Sequence, residues 1–155
     1  PNVTDANVQI RRSEFTADDA SAFDFDMNSA GVKNVTFELS DSMAVNNSAS
    51  ASAEIDASDP TILGATINDN TFTNTGAGDN LDLAANSGTT IINLSMDSNI
   101  TNGGTDSVVL RELNGADFNI VDRNTLTSRN PGVGNFVFDS AGNVIGDFDD
   151  IPALP

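Results

Sequence analysis

Apolar and polar residues alternate along this chain in short runs. Phe23-Asp24-Phe25-Asp26 and Leu81-Asp82-Leu83 place their apolar members on one face of an extended strand. The same alternation returns as Ala53/Ile55, Val108/Leu110 and Phe136/Phe138. About ten residues before each of these strands lies a second recurring phrase: Ile10–Thr16, Leu39–Val45, Ile67–Thr73, Ser95–Thr101 and Val121–Thr127. Within it Arg12, Asp41, Asp69, Asp97 and Arg123 fall at steps of 29, 28, 28 and 26 residues. A third apolar segment leads into each phrase, as Val35/Phe37, Ile62/Ile67, Ile91/Leu94, Phe118/Ile120 and Val144/Ile145. Turn-forming residues precede that segment, as in Asn86-Ser87-Gly88 and Asn114-Gly115. Leu94 and Ile120 sit one place off the register of Phe37, for which a β-bulge is the expected remedy.

Each repeat therefore reads as strand, polar loop, strand, turn, strand, with no helical period. The 155 residues make one domain, residues 1–155, with repeats at about 7–34, 35–61, 62–90, 91–117 and 118–142 and a partial one at 143–155. An immunoglobulin-like sandwich would not return the same apolar columns at one period. The pattern resembles the parallel β-helix solenoids of the pectate-lyase-like and autotransporter-passenger type. Ser13, Ser42, Asn70, Ser98 and Asn124 match the turn ladder of those proteins. The resemblance covers residues 7 to 148 and implies an all-β fold, a right-handed parallel β-helix of five to six coils with a period of 26–29 residues. The inward set is then Phe15, Phe23, Phe25, Leu39, Ile55, Ile67, Phe72, Leu81, Leu83, Leu110, Leu126, Phe136 and Phe138.

Charge changes what such a solenoid can meet. The chain carries 23 acidic residues against 6 basic ones, a net charge of −17, which opposes nucleic acid and anionic membrane surfaces. No apolar run approaches the roughly 18 residues of a membrane-spanning helix. Cys and His are absent, which removes soft metal sites, thiol nucleophiles and a Ser-His-Asp triad. Asp dominates over Glu and Arg over Lys, a balance suited to an extracellular or cell-surface location in contact with salt and divalent cations. A chain starting at Pro1 with a polar first stretch shows no secretion leader, so a processed or excised product is expected. Asn2, Asn34, Asn46, Asn93 and Asn99 lie in Asn-X-Ser/Thr patterns that glycosylation could use.

Calcium is the cofactor this inventory admits, because hard oxygen ligands are what it takes. Asp41, Asp69 and Asp97 share one repeat slot and would stack as a column of carboxylates. Gly76-Ala77-Gly78-Asp79-Asn80-Leu81 resembles half of the glycine-rich calcium-binding nonapeptide of RTX rolls, which makes Asp79 and Asp82 further candidates beside the plainer reading of a tight loop. Outward positions of the Phe23-type strands carry Asp24, Asp26, Glu54, Asp56, Asp82 and Asp139, with Arg111 in the Asp26 column. Lyase chemistry on this fold, as the resemblance implies, uses calcium-binding carboxylates beside an Arg or Lys base, and Arg111 next to Asp82 and Asp139 comes nearest to it. No catalytic residue is assigned.

The expected function is accordingly structural or adhesive and not enzymatic. The expected partner is another β-helix, either more of the same polypeptide or a second copy stacked end to end into a fibre. Val144, Ile145, Phe148 and Ile151 are the candidate self-association surface at the C-terminal end. A polysaccharide-active, lyase-like or glycan-binding β-helix is the alternative.

Overall fold

The computed structural model describes residues 4–28, 33–58, 61–140 and 148–152. The chain winds as a parallel β-solenoid of about five turns. Its first coil is β1 (Thr4–Arg11), β2 (Glu14–Ala17) and β3 (Phe23–Met27). The second is β4 (Lys33–Ser40), β5 (Met43–Asn46) and β6 (Ala53–Ala57). The third is β7 (Thr61–Asn68), β8 (Thr71–Asn74) and β9 (Leu81–Ala85), and the fourth β10 (Ile91–Asp97), β11 (Ile100–Gly103) and β12 (Val108–Glu112). The fifth holds β13 (Asp117–Val121), a 3₁₀ turn over Arg123–Thr125, α1 (Leu126–Arg129) and β14 (Phe136–Asp139), after which β15 (Asp149–Ile151) opens a sixth. Stacking these coils makes three sheets. The first runs β1-β4-β7-β10-β13-β15, the second β2-β5-β8-β11 and the third β3-β6-β9-β12-β14, every pairing parallel.

Alternation along each strand sends one residue set into the shared interior. Phe37, Leu39, Leu63, Ile67, Ile92, Leu94, Met96, Phe118 and Ile120 fill it from the first sheet. Phe72 does so from the second, and Ile55, Leu81, Leu83 and Leu110 from the third. Each such side chain contributes about 1.5–3 kcal/mol by leaving water. Phe15, Phe25 and Phe136 are half-buried against this core, and Phe25 stacks on Phe37 at 4.6 Å between ring centres. Phe138 keeps the inner column of Phe25, Ile55, Leu83 and Leu110 yet is 39% exposed, because no described strand stacks beyond β14.

The corner between the first and second sheets explains the recurring phrase and corrects its register. Arg12, Asp41, Asp69, Ser98 and Asp122 turn the chain there with φ between 46° and 58°. Asp tolerates this left-handed region better than most residues. Asp97 therefore does not share the slot of Asp41 and Asp69; it ends β10 opposite Asn68. Likewise Arg123 lies one residue past the turn and starts the helical segment. The ladder that follows is Ser13, Ser42, Asn70, Asn99 and Asn130, with Ser98 and Asn124 displaced from it. Strand register is set by burying Leu94 and Met96, since a slip of one residue would turn both outward. For the same reason no bulge is needed: Phe37, Ala65, Leu94 and Ile120 form one column.

Hydrogen-bond polarity makes the ladder necessary. Along a parallel strand the N–H groups point alternately to the two neighbouring coils, but at the corner this alternation slips: Asp69 N donates to Asp97 O of the next coil and Thr71 N, two residues later, to Ser42 O of the previous one. The N–H between them finds no backbone acceptor. Asn99 Oδ1 accepts from Asn70 N at 3.1 Å, and Asn130 Oδ1 from Asn99 N at 3.2 Å. The amide nitrogens donate back to inner carbonyls, Asn70 to Leu39 O, Asn99 to Ile67 O and Asn130 to Met96 O. The fifth coil departs from the all-strand expectation, because Arg123–Arg129 coils helically, buries Leu126 and delivers Asn130 to the ladder.

Replacing Asn99 by Ala strands two buried backbone groups and is expected to cost about 3 kcal/mol. Ser98→Ala, which removes a hydroxyl bonded only to Asp97, is expected to cost less than about 1 kcal/mol. Urea unfolding of both variants checks this. Equal losses would return the ladder to Ser98.

Candidate functional site

Three regions gather the polar chemistry. The first is the outer face of the third sheet. Strand pairing sets Asp24 beside Glu54 and Asp26 beside Asp56, and Glu54 beside Asp82. One strand further, Arg111 stands in the column of Asp26, Asp56 and Ala84, and pairs with Asp139 beyond it. Its Nε reaches Asp82 Oδ2 at 2.9 Å, its Nη1 reaches Asp139 Oδ2 at 2.8 Å, and Nη2 lies 3.7 Å from Asp79 Oδ2. One guanidinium in the fourth coil thus ties carboxylates of the third and fifth coils on either side, the geometry its planar donor fork suits. The other half of the face has no such cation. There Asp56 is pushed up to about 6, by burial first and then by Glu54, Asp82 and Asp26, while Asn86 donates weakly to it at 3.4 Å. Burial also raises Asp82, against the pull of Arg111.

A second region opens at the corner of the first two sheets. Arg11, Arg12, Glu38, Ser40, Asp41, Asn68 and Asp69 line a hollow of about 380 Å³. Arg11 closes a two-pronged pair on Glu38 at 2.6 and 2.7 Å. Asn68 Oδ1 is buried here without a hydrogen-bond partner. The third region is the loops joining the second sheet to the third. Asn46 and Asn74, both buried, bind these loops through Ser50 O, Ala51 O and Asp79 O. Gly76 and Gly78 lie so close to the loop below that a Cβ would stand 2.3 Å from Ser48 O and 1.9 Å from Ser50 O. Close stacking of backbones therefore accounts for the Gly-Ala-Gly phrase, which supports its reading as a tight loop.

The five calcium candidates separate in space. Asp41 and Asp69 meet at the corner hollow, whereas Asp97 stands outside their column. Asp79 and Asp82 belong to the Arg111 cluster, where Asp79 also accepts Asp106 N at 3.1 Å. Among the described residues no three acidic side chains converge as a metal site. Of the self-association candidates, Val144 and Ile145 lie outside the described residues. Phe148 is not an open surface: it is buried, packed on Phe118 and Phe138 at 5.4 and 5.1 Å, with Arg123 over its ring. Ile151 is half-buried. Among the Asn-X-Ser/Thr positions, Asn46 and Asn99 are buried, their amide nitrogens bonded to the loop carbonyl of Ala51 and to Ile67 O, whereas Asn34 is exposed.

Sequence reading missed the buried amides Asn46, Asn74 and Asn80 because they look like ordinary loop residues. Their signal was position: Asn46 and Asn74 end equivalent strands in successive repeats, and Asn80 stands just before the next strand of the second of these repeats. Comparison with known proteins found no matching family model, curated protein or solved structure.

The raised Asp56 fixes a pH dependence. Between its ordinary value of 3.8 and about 6 the folded chain holds a proton that the unfolded chain releases, so stability falls as pH rises through that window. Asp56→Asn is expected to stabilise the protein at pH 7 by about 1 kcal/mol, the full shift discounted for solvent screening. The gain should vanish below about pH 4. Urea melts at pH 7 and at low pH read both arms, and a gain of equal size at both would show that repulsion at Asp56 is not its source.

Proposed function

We propose that the chain is a non-catalytic, extracellular structural or adhesive β-solenoid whose coils continue end to end into further coils, of its own polypeptide or of a second copy. The observation that carries this reading is the state of the inner columns at the two ends. Phe15 and Phe25 are half-buried in the first coil, and Phe138 is 39% exposed in the last described strand of the third sheet. Phe138 and Phe25 share a column, so a further coil set on β14 in the same register would lay aromatic on aromatic. The acidic, Asp-rich surface supports a setting rich in salt and divalent cations.

A second reading, a polysaccharide-active solenoid, is favoured by the Arg111 cluster and by Asp56. A carboxyl that holds its proton to about pH 6 beside Glu54 is what acid–base work requires. Against it, Nε and Nη1 of Arg111 are already engaged by carboxylates.

Light scattering against concentration, with negative-stain imaging, tests the first reading. Open-ended particles are expected, with about 25–30 Å per copy along the axis from five to six coils at the sheet spacing. Phe138→Asp should stop their growth. Turnover of acidic or neutral polysaccharides, with or without Ca²⁺, that is lost in Arg111→Ala would instead select the second.

A further inference from the structure

Asn-Gly steps stand at Asn102-Gly103 and at Asn114-Gly115. The second makes the turn that leads from β12 into β13. Asn114 and Gly115 are both exposed, with φ of 57° and 78°. Positive φ at both central residues, closed by Ala116 N donating to Leu113 O at 3.1 Å, is the signature of a type I′ turn. Asn114 Nδ2 donates to Asn86 O of the preceding coil at 3.2 Å. Around Gly115 there is room: a Cβ there would meet nothing closer than Gly88 Cα at 3.8 Å.

We infer that Asn114 is a site of spontaneous covalent modification, deamidation with isomerisation of the backbone, and that the fold protects Asn102 from the same reaction. Gly115 N gives up its proton to solvent and forms a bond to Asn114 Cγ. The Cγ–Nδ2 bond breaks, and Nδ2 leaves as ammonia. Water then opens the resulting five-membered imide at either carbonyl. One opening gives Asp; the other gives isoaspartate, in which the chain runs through Cγ. The sum is Asn plus water to Asp or isoaspartate plus ammonia, with no electron transferred. Glycine is the following residue that least obstructs the attack, because it has no Cβ.

Ring closure requires the peptide to swing out of its native conformation, so its rate follows the cost of local opening. At Asn114 the bonds to be broken lie in an exposed two-residue turn, among them Ala116 N to Leu113 O and Asn114 Nδ2 to Asn86 O. At Asn102 opening strips β11 from β8, where Ile100–Gly103 pairs with Thr71–Asn74. Gly103 is clamped as well. Its carbonyl accepts Asn80 Nδ2 at 2.7 Å, and a Cβ on it would stand 2.3 Å from Asn74 O. Both glycines have positive φ, 67° at Gly103 and 78° at Gly115, so what separates the two steps is stacking. The product alters the turn. A carboxylate at position 114 offers only acceptors where Nδ2 donated, and it meets Asn86 O without a bond.

Incubation of the full folded chain at mildly alkaline pH, followed by cleavage before Asp and tandem mass spectrometry, tests the inference. That cleavage separates Asn102, in residues 97–105, from Asn114, in residues 106–116. Exchange of NH for O at Asn114 is expected at least about ten times faster than at Asn102, the ratio set by the difference in local opening. Labelling by an isoaspartyl methyltransferase should find isoaspartate among the products. In urea both steps should react at like rates, because each is then an Asn-Gly in an open chain. Comparable rates in the folded chain, a faster Asn102, or an Asn114 that stays intact while the unfolded control converts would overturn the inference. Asn114→Asp carries the carboxylate from the start and should melt below the parent. An equal melting temperature would overturn the stated consequence for the turn.

Discussion

The constraint on which the rest depends is the slip in hydrogen-bond alternation at the corner between the first and second sheets. A parallel solenoid must turn sharply there once per coil, and a buried N–H at the slip has no backbone carbonyl to meet. Left unpaired, it would cost about 1–3 kcal/mol in every coil. The chain answers with a side-chain acceptor from the following coil, Ser42 for Ser13, then Asn70, Asn99 and Asn130. Asn is the better answer, because its oxygen takes the orphan N–H while its nitrogen satisfies an inner carbonyl. Each coil is thus bonded to its neighbour by groups that only the neighbour can satisfy, and the stack is cooperative in one dimension.

Everything outside the corner has more latitude. The helical segment in the fifth coil replaces a strand of the second sheet without breaking the ladder, because Asn130 arrives where a residue near 128 would otherwise stand. Loops between the second and third sheets vary in sequence but stack closely, and the glycines at 76 and 78 are there to let them. Residue size varies within the inner columns: small Ala65 lies between Phe37 and Leu94 in one, while Phe25 gives way to Ile55 and Leu83 in another.

Charge is then distributed by face rather than by coil. The third sheet gathers carboxylates that one arginine only half neutralises, and there burial and mutual repulsion hold Asp56 protonated to about pH 6. The middle of the first sheet is nearly free of charge. The outward positions of the second sheet are likewise nearly free of charge, Glu14 being the one acid among them.

Period, strand alternation and the three-sheet coil were legible in the sequence, because side-chain alternation in a strand and repetition across coils are both one-dimensional patterns. So was the placement of Arg111 beside Asp139, since strands in register bring equal repeat positions together, and Asp82 lies diagonally two residues along the neighbouring strand, within reach of the long arginine side chain. Register to the single residue was not. Asp97 and Ser98 were each one place from the positions the motif suggested, because a local Asp-Ser phrase weighs less than burying Leu94 and Met96 in the shared interior. Nor could the helical segment be read from Arg123-Asn124-Thr125, where nothing local distinguishes it from the preceding motifs. What the amino-acid sequence determined by itself is which residues recur; which of them are buried, orphaned or exposed was decided only when neighbouring coils supplied or withheld a partner.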